Sequence, residues 1–219
     1  MPILYPCFIS YRHSESKVVQ TFVGQLRDAL TDYTGLYMSP ARPYMDEALD
    51  PGTRYNEALA QYICQSACLV VIYQPTYEES TYCLREYAAM EHLQKIRLEK
   101  LGGSADRTLS MIVPIVLRRS PDRDLPHEIG RFSREIHFAD FSRYSLASRE
   151  LSRNREYVDA LDRIARHIAR VYRMLRQAEE ELCKGCDKYA LPAEVAVAPW
   201  SVAAPMGQAF PFRAPVVTP

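Results

Sequence analysis

Ala67-Cys68-Leu69-Val70-Val71-Ile72-Tyr73 is apolar on both of the faces that alternate along a strand. A strand with one wet face alternates apolar and polar residues. A run without alternation fits the middle of a parallel sheet, where helices cover both sides. Gln74-Pro75 stops the run, since proline brings no amide hydrogen to a ladder. A central parallel strand also needs crossover helices, and the flanking sequence offers them. Upstream, Ala58, Leu59, Tyr62 and Ile63 mark a short helix, preceded by loop chemistry in Ala48-Leu49-Asp50-Pro51-Gly52-Thr53. Pro43-Tyr44-Met45-Asp46 reads as a brief strand. Before it, Val18, Val19, Phe22, Val23, Leu26, Ala29 and Leu30 repeat at helical spacing, with Gly35 where a stop belongs. Cys7-Phe8-Ile9-Ser10 is a buried strand that opens into a polar loop.

Downstream, a helix runs from about Ser80 to Lys100 and ends at Gly102-Gly103. Leu109 to Leu117 is a second continuous apolar run, and Glu135-Ile136-His137-Phe138 a shorter one. A long amphipathic helix follows from about Arg153 to Leu182. Strands alternating with helices predict an α/β fold with right-handed crossovers. The expected layout is flavodoxin-like: a five-stranded parallel sheet in order 2-1-3-4-5, helices on both faces, a long C-terminal helix and an extended tail. Residues 1–175 form the domain in this reading, and 176–219 the helix extension and proline-rich tail. From Cys183 to Pro219 there are six prolines, five charged residues and the sole tryptophan, Trp200. That segment cannot build a core, yet it is too apolar for a solvated disordered tail. Docking on a partner protein or a neighbouring subunit is the expectation.

The 27 basic and 27 acidic residues cancel, so no overall field draws in nucleic acid or an anionic membrane. No apolar run reaches the ~18 residues of a membrane span, and the start lacks the basic region of a signal peptide. A cytoplasmic protein is expected. Cys7, Cys64, Cys68, Cys83, Cys183 and Cys186 lie mostly in apolar segments, where reduced thiols are the simpler reading.

In open parallel sheets, ligands bind beyond the carboxyl ends of the strands where strand order reverses. Here that point lies between strands one and three. It sets Ser10-Tyr11-Arg12-His13 beside Tyr73-Gln74-Pro75 and the start of the third helix. Three segments meet there or nearby: Phe8-Ile9-Ser10-Tyr11-Arg12, Asp46-Glu47-Ala48-Leu49-Asp50-Pro51-Gly52, and Ser80-Thr81-Tyr82-Cys83-Leu84-Arg85-Glu86. In order and spacing they resemble the TIR (Toll/interleukin receptor) family, and its bacterial enzymatic members more than animal adaptors. The family pattern is F-I-S-Y-R, then an acidic residue and L-x-P-G in the BB loop, then S-x-W-C-x-x-E. The likeness runs from about Tyr5 to Val171, and Tyr82 replaces the usual tryptophan.

The resemblance implies hydrolysis or cyclisation of NAD, with Glu86 as the catalytic residue. Ser10, Tyr11, Arg12, Asp46 and Tyr82 become substrate-binding candidates. Leu49, Pro51 and Gly52 belong to the loop that reorganises when family members self-assemble. NAD enters as substrate, with no cofactor or metal implied. Bacterial antiviral defence is the setting such members share.

The chemistry has its own logic. Breaking the nicotinamide–ribose bond builds positive charge on the ribose carbon, as glycoside hydrolysis does. A fixed carboxylate stabilises that charge. Glu86 has Tyr82, Cys83, Ala89 and Met90 as helical neighbours, which partly desolvate it. Arg12 suits a diphosphate through its planar fork, or a structural salt bridge equally well. Tyr11 is open to a core role or a stacking role.

Other readings compete. A surface glutamate without function is the plain alternative for Glu86. A non-catalytic scaffold recruiting partners through the BB loop, or a nucleoside deoxyribosyltransferase, competes for the whole chain. A Ser10/His13/Asp46 triad lacks the G-x-S-x-G elbow. Cys183 and Cys186 have half of a zinc site's spacing and no second pair. The seam Tyr157, Leu161, Ile164, Ile168, Val171, Leu175, Ala178, Leu182 has heptad spacing, and its second half is open to core packing or pairing with another subunit. Arg163, Arg166, Arg170, Arg173 and Arg176 form a solvated face; nucleic-acid binding has no reader motif behind it.

Overall fold

The computed structural model describes residues 2–39, 42–45, 55–102, 109–130, 139–143, 153–178, 182, 188–193, 197 and 200. Five parallel strands make one sheet: β1 (Tyr5–Tyr11), β2 (Tyr44–Met45), β3 (Ser66–Tyr73), β4 (Ile112–Val116) and β5 (Ala139–Asp140). Their order is β2-β1-β3-β4-β5, the flavodoxin-like order expected. Every residue of β3 is buried, as its lack of alternation requires. It pairs with β1 through Phe8–Leu69 and Ser10–Val71, and with β4 through Val70–Val113 and Tyr73–Val116.

Helices α1 (Lys17–Gly35) and α5 (Arg155–Arg176) pack together against one face of the sheet. On the other face lie α2 (Tyr55–Cys64) and α3 (Thr81–Leu101), with a 3₁₀ turn over Pro75–Glu79 and a short α4 (His127–Gly130). Ser80 caps α3 by accepting the amide hydrogen of Cys83 at 3.3 Å. Gly102, at φ 55°, closes the helix in a conformation that L side chains rarely adopt. Among the described residues no helix is long and apolar enough to cross a membrane.

The structure corrects three expectations, on the end of α5, on Cys64 and on the tail, and decides one that the sequence left open, the role of the heptad seam. Helix α5 ends at Arg176 rather than continuing to Leu182. The heptad seam from Tyr157 to Leu175 is buried within this chain, so the sheet takes the surface a second subunit would have used. The last strand sits at Ala139–Asp140, paired with Ile115–Val116; the run 135–138 lies outside the described residues. Cys64 is disulfide-bonded, whereas Cys7, Cys68 and Cys83 are free; an apolar neighbourhood suits either state, and spacing alone cannot tell them apart. The third correction concerns the tail. Its described residues dock on their own domain: Leu191 and Trp200 are buried, and Tyr189 donates its hydroxyl hydrogen to the Ala89 carbonyl at 2.9 Å.

Candidate functional site

β1 ends where its two neighbours diverge, and α3 starts across the gap. Between them lies a cavity of about 230 Å³ lined by Ile9, Tyr11, Arg12, His13, Ser80, Tyr82, Cys83 and Glu86. Helical geometry explains the α3 contribution, because residues 82, 83 and 86 share one face three and four apart. The strand contribution follows from the switch point between β1 and β3.

Glu86 is 6% exposed although it is a carboxylate. Burial of such a group requires partners. Ser10, itself buried at the end of β1, donates its hydroxyl hydrogen to Glu86 Oε2 at 2.5 Å. Ser10 Oγ also lies 2.7 Å from the hydroxyl of Tyr77, a fully buried residue of the 3₁₀ turn. Tyr77 donates in turn toward the Cys83 carbonyl at 3.1 Å. One hydroxyl therefore holds the carboxylate, and a second hydroxyl holds the first.

Charges around the site follow from burial. Burial pushes the Cys83 thiol up to about 12, and nearby Glu86 adds to this against the opposing pull of Ser80 and Arg12. Cys83 is thus a thiol at neutral pH and no nucleophile. Burial likewise holds the Tyr77 hydroxyl well above its ordinary value, with Cys83 and Glu86 contributing. It remains a donor throughout the physiological range.

The remaining walls are flat or cationic. Tyr11 and His13 stack at 4.6 Å with their planes 12° apart. Tyr82 is 40% exposed, with the Arg85 guanidinium 5.5 Å from its ring centre. Arg12, half-buried, makes no hydrogen bond or ion pair with any described residue. The salt-bridge alternative for Arg12 therefore has no partner among them.

Of the residues singled out in the sequence, Tyr11, Arg12, Tyr82 and Glu86 meet around this cavity. Ser10 does not line it; its hydroxyl serves Glu86, which also removes the Ser10/His13/Asp46 triad. Asp46, Leu49, Pro51 and Gly52 lie outside the described residues. The sequence reading missed Tyr77, because a five-residue 3₁₀ turn offers no periodicity to find it by. His13 entered that reading as part of the switch-point loop and as a triad member, not as a binding residue.

Comparison with known proteins places the chain in a family. No curated protein matches the chain. Eight solved chains do, among them the TIR domains of the activated Roq1 resistosome directly recognizing the pathogen effector XopQ. The likeness to these is 20% identity over 84% of this chain and 95% of that one, with a TM-score of 0.39. A family model described as TIR domain matches residues 7–158, well over half of the sequence. The chain belongs to the TIR domain family.

Proposed function

We propose that this TIR domain cleaves the nicotinamide–ribose bond of NAD, as a glycohydrolase or ADP-ribosyl cyclase, with Glu86 as catalytic residue. One observation carries the reading: a glutamate buried to 6% exposure on a cavity wall, hydrogen-bonded by Ser10 at 2.5 Å. A glutamate needed only for solubility has no reason to be there. When the bond breaks, its electron pair leaves with nicotinamide and the ribose carbon becomes cationic. Water, or an internal nucleophile of the substrate in cyclisation, then takes that carbon. The carboxylate opposes the growing charge from a site with little competing water. Tyr11 and Tyr82 offer flat surfaces to the nicotinamide ring, and Arg12 a fork to the diphosphate.

The cavity is smaller than the ~300–1,000 Å³ of drug-sized sites. About 230 Å³ suits the nicotinamide–ribose end and leaves the rest of NAD outside. This favours completion of the site by a neighbouring copy, the role given to the BB loop with Asp46, Leu49, Pro51 and Gly52. The proposed setting is bacterial antiviral defence in the cytoplasm; the Cys64 disulfide is a described feature that pulls the other way. The test is NAD incubated with concentrated pure protein, its products identified by mass spectrometry. Free nicotinamide with ADP-ribose or a cyclic isomer is expected, at a specific activity that rises with protein concentration. No nicotinamide at any concentration contradicts the reading and favours a scaffold.

A further inference from the structure

The tail reaches α3 from behind the cavity. Arg85, one residue before Glu86, donates from Nε to the Pro192 carbonyl at 2.7 Å. Trp200 is 6% exposed, lies near-parallel to Tyr77 at 5.5 Å and stands edge-on to Tyr87 at 4.8 Å. Tyr87 is pinned in turn by its hydroxyl, which donates to the Glu128 carbonyl at 2.9 Å. The tryptophan thus sits against the ring whose other end touches Ser10.

Counting hydrogens orders the network. Ser10 has a single hydroxyl hydrogen and gives it to Glu86. The 2.7 Å contact with Tyr77 must then use the Tyr77 hydrogen, shared with the Cys83 carbonyl. A donor into Ser10 Oγ polarises the Ser10 O–H and strengthens its bond to the carboxylate. It also fixes the rotor, which otherwise has three staggered positions.

We propose that Tyr77 and Trp200 are positioning residues for Glu86: the tail's tryptophan holds the Tyr77 ring, and Tyr77 sets Ser10's hydroxyl on the carboxylate. The geometry stands by itself; its effect on rate rests on the NAD-cleaving reading. Removing the Tyr77 hydroxyl weakens a hydrogen bond that favours the charged carboxylate, so Glu86 should take up its proton at higher pH. Removing the Trp200 ring leaves Tyr77 unsupported on one side and acts in the same direction.

The experiment follows the carboxyl carbon of Glu86 by ¹³C NMR across pH in full-length parent, Tyr77→Phe, Trp200→Ala and Trp200→Phe. The Glu86 signal is assigned by its loss in Glu86→Gln. The expected result is a raised midpoint in Tyr77→Phe and Trp200→Ala, with Trp200→Phe back near the parent. NAD turnover should show kcat lower by roughly threefold to tenfold at neutral pH with KM unchanged, the worth of one neutral hydrogen bond. Since Trp200 is the only tryptophan, its fluorescence reports docking directly. Parent emission should be blue-shifted and resist acrylamide. Emission typical of an exposed indole overturns the proposal, as do midpoints unmoved in folded Tyr77→Phe and Trp200→Ala. If Trp200→Ala does not fold, Tyr77→Phe decides, because it removes one oxygen. Shifted midpoints without any NAD cleavage would keep the positioning network and remove the enzymatic reading; cleavage with unmoved midpoints would do the reverse.

Discussion

Helices α3 and α5 have nearly the same length, 21 and 22 residues, yet they meet the protein differently. α5 buries one stripe, including Leu161, Ile164, Ile168, Val171 and Leu175, and gives Arg163, Arg166, Arg170 and Arg173 to solvent. In α3, residues 83–87 are all buried. At 3.6 residues per turn, five in a row enclose the helix on every side. Sheet, cavity and tail share those sides. The arginines of α5 reach solvent and keep their partners at the surface, as Arg166 does with Asp162 and Tyr37; Arg85, Glu86 and Arg97 of α3 must find partners inside the protein. Chemistry is built where burial and charge coincide, so α3 carries the site and α5 the ballast.

That contrast can be broken by mutation. Ile168→Ala in α5 opens a cavity under a fully buried side chain, and should cost ~2–5 kcal/mol. Denaturant midpoints should fall while kcat per folded molecule stays at the parent value. A kcat that drops with the folded fraction held constant would make α5 part of the site.

Arg97→Met probes α3 away from the cavity. The guanidinium is 1% exposed and donates to the carbonyls of Cys64 at 2.7 Å and Ser66 at 3.0 Å. Cys64 is the last residue of α2, where a cation meets the negative end of the helix. Methionine fills much of the space and strands those acceptors, at a loss of ~1–3 kcal/mol. Urea unfolding measures it; an unchanged stability would show that the buried polar residues of α3 bear no such cost.

The smallest effect belongs to His167 on α5, whose Nε2 lies 2.7 Å from the Ser110 carbonyl. A carbonyl only accepts, so that nitrogen carries the hydrogen. Burial pushes this imidazole below its ordinary value, aided by Arg170 and opposed by the bond to Ser110. The sign is therefore that of a group that folds neutral. Below about pH 6.5 the unfolded chain binds the proton that the folded one resists, and stability falls with falling pH. His167→Gln keeps a donor and removes the titration. Its stability should decline less between pH 7 and 5 than the parent's, and equal slopes would exclude His167 as a contributor.

The same contrast explains what the sequence could disclose. The apolar runs of β1, β3 and β4 and the stripe of α5 are local patterns, so strand order and layer followed from them. Tyr11, Arg12, Tyr82 and Glu86 were legible because the switch point and three ordered motifs converge on one gap. Ser10 was visible, but its partner lies 76 positions away and no spacing pairs them. Tyr77 and Trp200 were illegible as a pair, since a short turn and a proline-rich tail have no period to align. The end of α5 was misplaced because Ala178 and Leu182 keep the helical spacing beyond the turn at 177–178.

The central claim is that Glu86 works by its charge in the transition state. Glu86→Gln keeps the size and an acceptor for Ser10 and removes the charge. The measurement is kcat and KM for NAD with assembled protein, alongside thermal unfolding of both forms. The account predicts kcat lower by roughly two to three orders of magnitude with KM and melting temperature little changed. A folded Glu86→Gln protein that releases nicotinamide at the parent rate would contradict it.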